Sequence, residues 1–335
     1  MIHIHSPPGL GCGLLRAAPG RWRERMRIVI MGSGGVGAYV GARLQAAGED
    51  VAFIARGAHL QALQAGGLHL QHPQHPLHLP QVQVSAEARE LARSGPADLV
   101  VFAVKLGDTV TAARALGPLL GPQTRILTLQ NGIDSVGLIQ AEVGTTTVRG
   151  GVIYVSAVID RPGVIRSPGG LHVIVADAGG GDPVMAAFFE ACGRATALQA
   201  KPTDDIRAVL WEKFIALSAL SATTSLLRAP MGAILAHPET RALQRQLIEE
   251  AVAVAEAAGV PQRAGLVEEV MTKLAAMPAN FRSSMSEDLA RGKPLELNWL
   301  SGRVHALGQQ LGVPTPAHST AWRALVLYVD GQTGV

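Results

Sequence analysis

The chain has 335 residues, of which 48% are hydrophobic, 16% are charged and two are cysteines. This length predicts two domains with a sizeable core, and no apolar run approaches the ~20 residues that span a bilayer. The two cysteines show no disulfide or metal-ligand spacing, which favours a cytoplasmic location. The net charge of +3 arises within residues 1–25, so the rest is close to neutral and offers nucleic acid no basic surface.

Residues 1–25 show neither a helical nor a strand period, and they are rich in proline and glycine. They lack the serine content of an organellar transit segment and the apolar centre of a secretory signal. We expect a disordered extension, or a true start at Met26.

The stretch from Arg27 to Gly57 reads as a strand, a glycine turn, a helix and a second strand. In a Gly-x-Gly-x-x-Gly motif the first glycine permits the tight turn, the second lets backbone approach a pyrophosphate, and the third lets the helix pack on the strand. The helix N-terminus then offers N–H groups to the phosphates. A purely structural glycine turn is the alternative. We predict dinucleotide binding at Gly32, Ser33, Gly34, Gly35, Val36 and Gly37.

The end of the second strand distinguishes the two nicotinamide cofactors. An NAD site usually has Asp or Glu there for the ribose 2′-OH, whereas this chain has Ala55-Arg56-Gly57. An arginine suits a 2′-phosphate, so the sequence favours NADP(H). A solvated loop arginine is the alternative.

The segment after the next short helix alternates apolar and polar residues and is broken by Pro73 and Pro76, so we predict a β-hairpin or loop. Histidines recur in it at every third position. The prolines forbid a helix that would align them, and no acid or cysteine completes a ligand set. We therefore predict surface histidines and no metal site at His69, His72, His75 and His78.

Two further polar residues follow predicted strands directly. Lys105 ends a buried parallel strand, and Asn131 ends the next one, beside a glycine. Ligands of doubly wound sheets bind outside the carboxyl ends of the strands, so both residues are candidates for contacts to cofactor or substrate. A lysine that caps a strand and a turn-forming Asn-Gly are the alternatives.

The predicted class is α/β, with an N-terminal Rossmann-type dinucleotide-binding domain at 26–200 and a C-terminal all-α domain at 201–335. We predict that the sheet finishes antiparallel, and we find no convincing strand after Pro202. The remaining predicted strands cover 98–104, 125–129, 145–148, 151–157, 163–166, 172–175 and 197–199. The predicted helices cover 58–66, 86–94, 109–120, 182–195, 203–227, 239–259, 264–276, 283–291, 296–311 and 315–329.

Lys213 lies in the apolar stripe of the helix after Pro202. At roughly 100° per residue it falls between Val209 and Leu210, in the middle of the buried face. Such a lysine either extends its ammonium to water or is partly desolvated, and desolvation lowers its pKa toward neutrality. A lysine of that kind can protonate the alkoxide that develops when a ketone is reduced.

From Met26 almost to its C-terminus, the chain resembles the ketopantoate reductase (2-dehydropantoate 2-reductase) family. Single motifs are common, but the ordered set is specific. The matching motifs are Gly32-x-Gly34-x-x-Gly37, Ala55-Arg56-Gly57, Val104-Lys105, Gln130-Asn131-Gly132, Gly144-Thr145-Thr146-Thr147, Leu210-Trp211-Glu212-Lys213, Ser283-Ser284-Met285 and, twelve residues after Ser284, Glu296.

The resemblance implies NADPH-dependent reduction of a small 2-oxo acid, 2-dehydropantoate, to pantoate. By position, Lys213 corresponds to the family's proton donor, and Glu296 to the carboxylate that binds the substrate hydroxyl and orders the lysine. Ser284 matches the serine that holds the substrate carboxylate. Arg56 and Lys105 match NADPH-phosphate contacts, and Asn131 matches a contact to both cofactor and substrate.

One departure concerns the substrate. The family pattern has asparagines four and eight residues after the lysine, where this chain has Leu217 and Ser221. Losing one such hydrogen bond costs about 0.5–1.5 kcal/mol. Three hypotheses follow: a ketopantoate reductase, a reductase of a less polar 2-oxo acid, and an NADPH-binding paralogue without turnover. The sequence predicts a monomer or homodimer without membrane or nucleic-acid partners.

Overall fold

The computed structural model describes residues 25–144 and 147–331. Its strands are β1 (Arg27–Met31), β2 (Asp50–Ile54), β3 (Leu68–Gln71), β4 (Leu77–Leu79), β5 (Gln83–Ser85), β6 (Leu99–Phe102), β7 (Arg125–Thr128), β8 (Val148–Tyr154), β9 (Val158–Arg161), β10 (Val164–Arg166), β11 (Val173–Asp177) and β12 (Gln199–Thr203). Its helices are α1 (Gly35–Ala46), α2 (Gly57–Gly66), α3 (Ala88–Leu91), α4 (Thr109–Arg114), α5 (Ser135–Val143), α6 (Pro183–Arg194), α7 (Ile206–Leu226), α8 (Met231–Ala236), α9 (Pro238–Ala257), α10 (Leu266–Ala275), α11 (Ser284–Ala290), α12 (Ser301–Leu311) and α13 (Pro316–Leu325).

The main sheet has eight strands in the order β12-β11-β8-β7-β6-β1-β2-β5. The strands from β5 to β8 are parallel, β11 is antiparallel to β8, and β12 pairs parallel to β11. The central strands are largely apolar because helices cover both faces of the sheet. The chain moves from β1 to β2 on one side and later to β6 on the other, so the switch in strand order lies beside β1, where open α/β sheets bind ligands.

A second, four-stranded sheet has the order β4-β3-β10-β9 and lies beside α1. Its β3–β4 pair confirms the predicted hairpin. His72, however, contradicts the prediction of four surface histidines, because it is 8% exposed. Its Nδ1 accepts from the Gln74 and His75 N–H groups, and its Nε2 lies 3.1 Å from that of His172. These contacts explain its burial.

The predicted fold class is confirmed. After β12 the described chain is helical, and its long helix α7 packs on α9, α11 and α13 and also contacts β8. Asp205 caps α7 by accepting from the Ala208 N–H group at 3.0 Å. Helix α7 therefore carries side chains from the helical core to the sheet. None of the described helices has the length and apolar character needed to cross a bilayer.

Several predicted elements need correction. The two strands predicted at 145–148 and 151–157 form one strand, β8, and Thr145 and Thr146 lie outside the described residues. Helices α5 and α8 were not predicted. The helix predicted at 296–311 begins with a separate 3-10 turn, Leu297–Trp299, so Glu296 precedes the helical segment.

Candidate active site

The turn after β1 has the backbone conformation and the close packing that the Gly-x-Gly-x-x-Gly motif predicts. Gly32 has a φ of +96°, a conformation that disfavours a side chain, and a Cβ there would lie 2.8 Å from the Val104 nitrogen. A Cβ on Gly37 would lie 2.1 Å from the Gly32 carbonyl oxygen, so only glycine lets α1 approach β1 this closely. A Cβ on Gly34 would meet nothing within 4 Å, which leaves backbone open to a ligand.

The free N–H groups of α1 face this opening. The first helical hydrogen bond runs from the Ala38 N–H to the Gly34 carbonyl at 2.9 Å, so Gly35, Val36 and Gly37 have no intrahelical acceptors. Ser33 is buried, and its hydroxyl donates to the Ile54 carbonyl at 2.9 Å, which fixes the turn against β2. These residues fit a pyrophosphate at a helix N-terminus.

The turn opens into a cleft of about 300 Å³ at the carboxyl ends of β1, β2 and β6. The cleft brings together the predicted residues Gly32, Arg56 and Lys105. Arg56 is exposed, and no hydrogen bond or ion pair joins its guanidinium to another described residue. Lys105 Nζ instead donates to Asp288 Oδ2 at 2.7 Å and to the Pro294 carbonyl at 3.2 Å. Lys105 therefore links the cofactor cleft to the helical part of the chain.

Lys213 lies where α7 meets β8. Its Nζ donates to Asn131 Oδ1 at 3.0 Å and to the Ile153 carbonyl at 2.8 Å, and it lies 5.6 Å from the centre of the Tyr154 ring. An ammonium has three N–H donors, so one remains for a ligand. Burial lowers the lysine pKa to about 8, while the charge of Glu296 opposes that shift. Of the two alternatives for Lys213, these contacts favour partial desolvation over an ammonium that extends to water.

Asn131 connects Lys213 to Glu296. Its amide oxygen accepts from Lys213, and its side chain lies close enough to the Glu296 carboxylate to lower the pKa of that group. The Glu296 carboxylate itself accepts from the Leu106 N–H at 3.4 Å. Burial raises the pKa of Glu296, and these hydrogen bonds and the Lys105 charge partly offset that rise. Three of the predicted site residues thus form one connected group.

Gln130 holds the two strand-end loops together. Its side-chain amide donates to the Val104 carbonyl at 3.0 Å and to Thr109 Oγ1 at 2.8 Å. Gly132, with a φ of +87°, turns the chain directly after Asn131. The backbone on either side of Asn131 is therefore fixed.

Ser284 is not part of this connected group. It is exposed at the start of α11, and among the described residues it forms no hydrogen bond with Lys213, Asn131 or Glu296. The preceding serine, Ser283, is buried, caps the helix and lies 2.8 Å from Thr224 Oγ1 of α7. The predicted role of Ser284 as a substrate ligand stays a prediction.

Leu217 and Ser221 follow Lys213 by one and two helical turns on α7. Leu217 is partly buried, whereas Ser221 is 1% exposed, and its hydroxyl has no hydrogen-bond partner in the described chain. A buried hydroxyl without a partner is costly. Beyond Lys213, this face of α7 thus offers one apolar side chain and one unused hydroxyl.

Comparison with known proteins identifies the family. Residues 28–179 match the model described as Ketopantoate reductase PanE/ApbA, and residues 205–328 match Ketopantoate reductase PanE/ApbA C terminal. The 2-dehydropantoate 2-reductase of Mesorhizobium japonicum is 33% identical over 312 residues, covering 87% of this chain and 94% of the relative. The chain belongs to the ketopantoate reductase family.

Solved structures agree with this membership. A PanE/ApbA family ketopantoate reductase from Ralstonia eutropha superposes with a TM-score of 0.82 at 32% identity, covering 90% of this chain and 98% of that one. A D-mandelate dehydrogenase with NADH and anilino(oxo)acetate has a TM-score of 0.81 at 20% identity, covering 90% and 98%, and so shares the fold. The protein is therefore an oxidoreductase of a family that uses a nicotinamide cofactor and a small-molecule substrate.

Within this ketopantoate reductase fold, sequence reasoning missed three residues near the predicted ones. Tyr154 lies beside the Lys213 ammonium, Asp288 pairs with Lys105, and His59 lines the cofactor cleft. Tyr154 lies within a predicted strand, and His59 lies three residues after Arg56, so position alone could have suggested both. Nothing in the sequence pairs Asp288 with a lysine 183 residues away.

Proposed function

We propose that the protein reduces 2-dehydropantoate to pantoate with NADPH and that Lys213 donates the proton. The observation that carries this proposal is the Lys213 ammonium, partly desolvated, anchored by Asn131 and left with one unused donor. Family membership supports the reaction, since the relative in Mesorhizobium japonicum is named for it.

NADPH would be held by the turn Gly32 to Gly37, with Arg56 at the 2′-phosphate and Lys105 near the phosphates. When bound, it supplies the hydride. Asn131 lies between the two parts of the site, because its loop follows β7 and its amide reaches Lys213. The cofactor preference rests on Arg56, which stands where NAD sites usually have a carboxylate.

In the proposed mechanism the free N–H of Lys213 points to the C2 carbonyl oxygen of the substrate and transfers its proton as the alkoxide develops. A donor with a pKa of about 8 suits this task, because it is protonated at neutral pH and still gives up its proton readily. Glu296 favours the charged lysine electrostatically. We assign Glu296 the substrate hydroxyl and Ser284 the substrate carboxylate.

A second candidate is NADPH-dependent reduction of a less polar 2-oxo acid. Leu217 supports it, since this side chain cannot donate a hydrogen bond where the family pattern has an asparagine. The Tyr154 ring, 5.6 Å from Lys213 Nζ, adds apolar surface beside the proposed donor.

The experiment that tests the proposal is a panel of 2-oxo acids, each assayed with NADPH and with NADH. We expect the highest kcat/KM with 2-dehydropantoate and NADPH. A higher value for an aliphatic or aromatic 2-oxo acid without a hydroxyl would favour the second candidate. Tight NADPH binding with no turnover of any oxo acid would favour a non-catalytic paralogue, and a preference for NADH would contradict the cofactor assignment.

A further inference from the structure

Tyr154 is the aromatic residue beside the Lys213 ammonium. The centre of its ring lies 5.6 Å from Lys213 Nζ. Tyr154 is the last residue of β8, where it pairs with Val173 of β11. It is 36% exposed, so the protein covers the ring only in part. The site described above gives this side chain no role beyond apolar surface.

Two consecutive residues of β8 contact the lysine. The Ile153 carbonyl accepts from Lys213 Nζ at 2.8 Å, and the Tyr154 ring lies beside the same nitrogen. Successive side chains of a strand point to opposite faces, which explains why Ile153 is buried while Tyr154 is exposed. The carbonyl holds the ammonium next to the strand, so the geometry of one strand sets the distance between the ammonium and the ring.

An ammonium within about 6 Å of an aromatic ring centre is attracted by the negative charge of the ring face, and the attraction is stronger where water is excluded. It needs no N–H directed at the ring, so the third donor of Lys213 remains for a ligand. Burial raises the pKa of Tyr154 above its ordinary value, so the phenol is neutral at physiological pH. The ring can therefore favour the charged lysine without using the donor that the substrate needs.

The charged groups around this pair come from α7, α10 and the segment before α12. Glu296 favours the charged form of Lys213. Glu212 of α7 raises the pKa of Tyr154 and Lys273 of α10 lowers it, and the two form a salt bridge of 3.4 Å. Replacement of Tyr154 removes none of these charges. The two acids have further charged neighbours, which are Lys105, Asp288 and Arg263.

We propose that Tyr154 is a positioning residue for the proton donor, because its ring face stabilises the Lys213 ammonium through a cation–π contact. The inference rests on the proposed function where it takes Lys213 as the donor. The ring has two opposing effects on the lysine. As a π face it favours the charged form, whereas as an apolar cover it excludes water and favours the neutral form. The direction in which the Lys213 pKa changes on replacement therefore distinguishes the two.

Two substitutions separate the ring from its bulk and from its hydroxyl. Tyr154→Leu keeps an apolar side chain but removes the π face. Tyr154→Phe keeps the ring but removes the hydroxyl. Tyr328→Leu is the matched control, because Tyr328 is a partly buried tyrosine whose ring lies 5.9 Å from a different cation, the Arg228 guanidinium.

The test is a pH titration of the full-length protein by 13C NMR, with lysine labelled at Cε. Lys213→Arg assigns the Lys213 resonance. We expect the Lys213 pKa to fall by about 0.5–1 in Tyr154→Leu and to stay within about 0.2 of wild type in Tyr154→Phe and Tyr328→Leu. The spectrum is simple because the chain has only five lysines, which are Lys105, Lys201, Lys213, Lys273 and Lys293.

An unchanged or raised Lys213 pKa in Tyr154→Leu, or an equal fall in Tyr154→Phe, would overturn the cation–π assignment. Thermal melting reports whether each variant is folded. Tyr154→Trp tests the same contact if the leucine variant does not fold. Tryptophan offers the strongest π face, so the Lys213 pKa should stay at or above its wild-type value, and a fall would overturn the assignment.

Enzyme kinetics then connect the contact to the reaction. The alkaline limb of kcat/KM for 2-dehydropantoate reduction should move to lower pH in Tyr154→Leu and keep its wild-type position in Tyr154→Phe. Absence of turnover would refute the proposed function and leave the NMR result intact. A lowered Lys213 pKa with an unmoved alkaline limb would support the contact and refute Lys213 as the proton donor, so the two proposals fail separately.

Discussion

The cofactor cleft and the Lys213 site are assembled in different ways. The cleft is built mainly from one continuous stretch, β1 to the start of α2, and much of its proposed binding surface is backbone N–H. The Lys213 site joins side chains that follow β7, lie on α7 and precede α12. Local sequence therefore determines the first, and tertiary packing determines the second.

This difference predicts different consequences of mutation. Changes in the cleft should act on cofactor Kd, because in the proposed function its residues hold phosphates that do not react. Changes around Lys213 should act on kcat, because its proposed proton transfer takes place only in the transition state. Each of the following substitutions should affect one of the two sites and leave the other unchanged.

The largest effect is expected from Lys213→Ala. Loss of a positioned general acid lowers rates by about 10²–10⁴, and kcat for NADPH oxidation with 2-dehydropantoate should fall by that amount. The NADPH Kd should stay within about twofold, since no cleft residue changes. Lys201→Ala, at an exposed lysine of β12, is the matched control. Robust turnover in Lys213→Ala would refute the proton-donor assignment.

Arg56→Glu should weaken NADPH binding by about tenfold to hundredfold, because it removes a charge-assisted hydrogen bond and adds a like charge. The NADH Kd should change much less, and kcat at saturating NADPH should stay near wild type. Isothermal titration with both cofactors measures this difference. Arg93→Glu, at an exposed site outside the cleft, controls for net charge, and equal losses for NADPH and NADH would count against the 2′-phosphate contact.

Glu296→Gln should lower kcat/KM on the order of tenfold at neutral pH. The Glu296 charge raises the pKa of Lys213, so its removal should shift the alkaline limb of the pH profile to lower pH. Glu287→Gln, in an exposed ion pair with Arg291, is the control. An alkaline limb at the wild-type position would exclude electrostatic coupling between Glu296 and Lys213.

The smallest effect is expected from Leu217→Asn. Restoring an amide on the Lys213 face should lower the KM for 2-dehydropantoate about twofold to tenfold, since one hydrogen bond contributes about 0.5–1.5 kcal/mol. Leu226→Asn, at a partly buried leucine of the same helix on another face, is the control. A rise in KM would favour an apolar substrate, and a change in NADPH Kd would show that Leu217 acts on the cofactor.

Elements with strong local signals were predicted well. The β1–α1–β2 unit follows from an apolar run and three glycines, and the desolvation of Lys213 follows from the period of α7. Helix α5 was missed because it is short and partly exposed, so it has no clear apolar stripe.

Features that depend on distant contacts were not predictable. The burial of His72 rests on His172, 100 residues later, and the hydrogen bond from Lys213 to Asn131 joins residues 82 apart. Glu296 could be named from the resemblance, but its place before a 3-10 turn depends on how α12 packs. The same holds for His59, whose ring is aligned by Gly163, 104 residues further on.

The most direct test of the central claim is the pH dependence of kcat/KM in both directions, because kcat/KM reports the ionisation of the free enzyme. If protonated Lys213 is the donor, reduction of 2-dehydropantoate should decline above pH about 8, and oxidation of pantoate by NADP⁺ should rise toward that pH and then level off. Parallel profiles in the two directions, or a reduction rate that stays flat to about pH 10, would contradict the assignment of Lys213 as the proton donor.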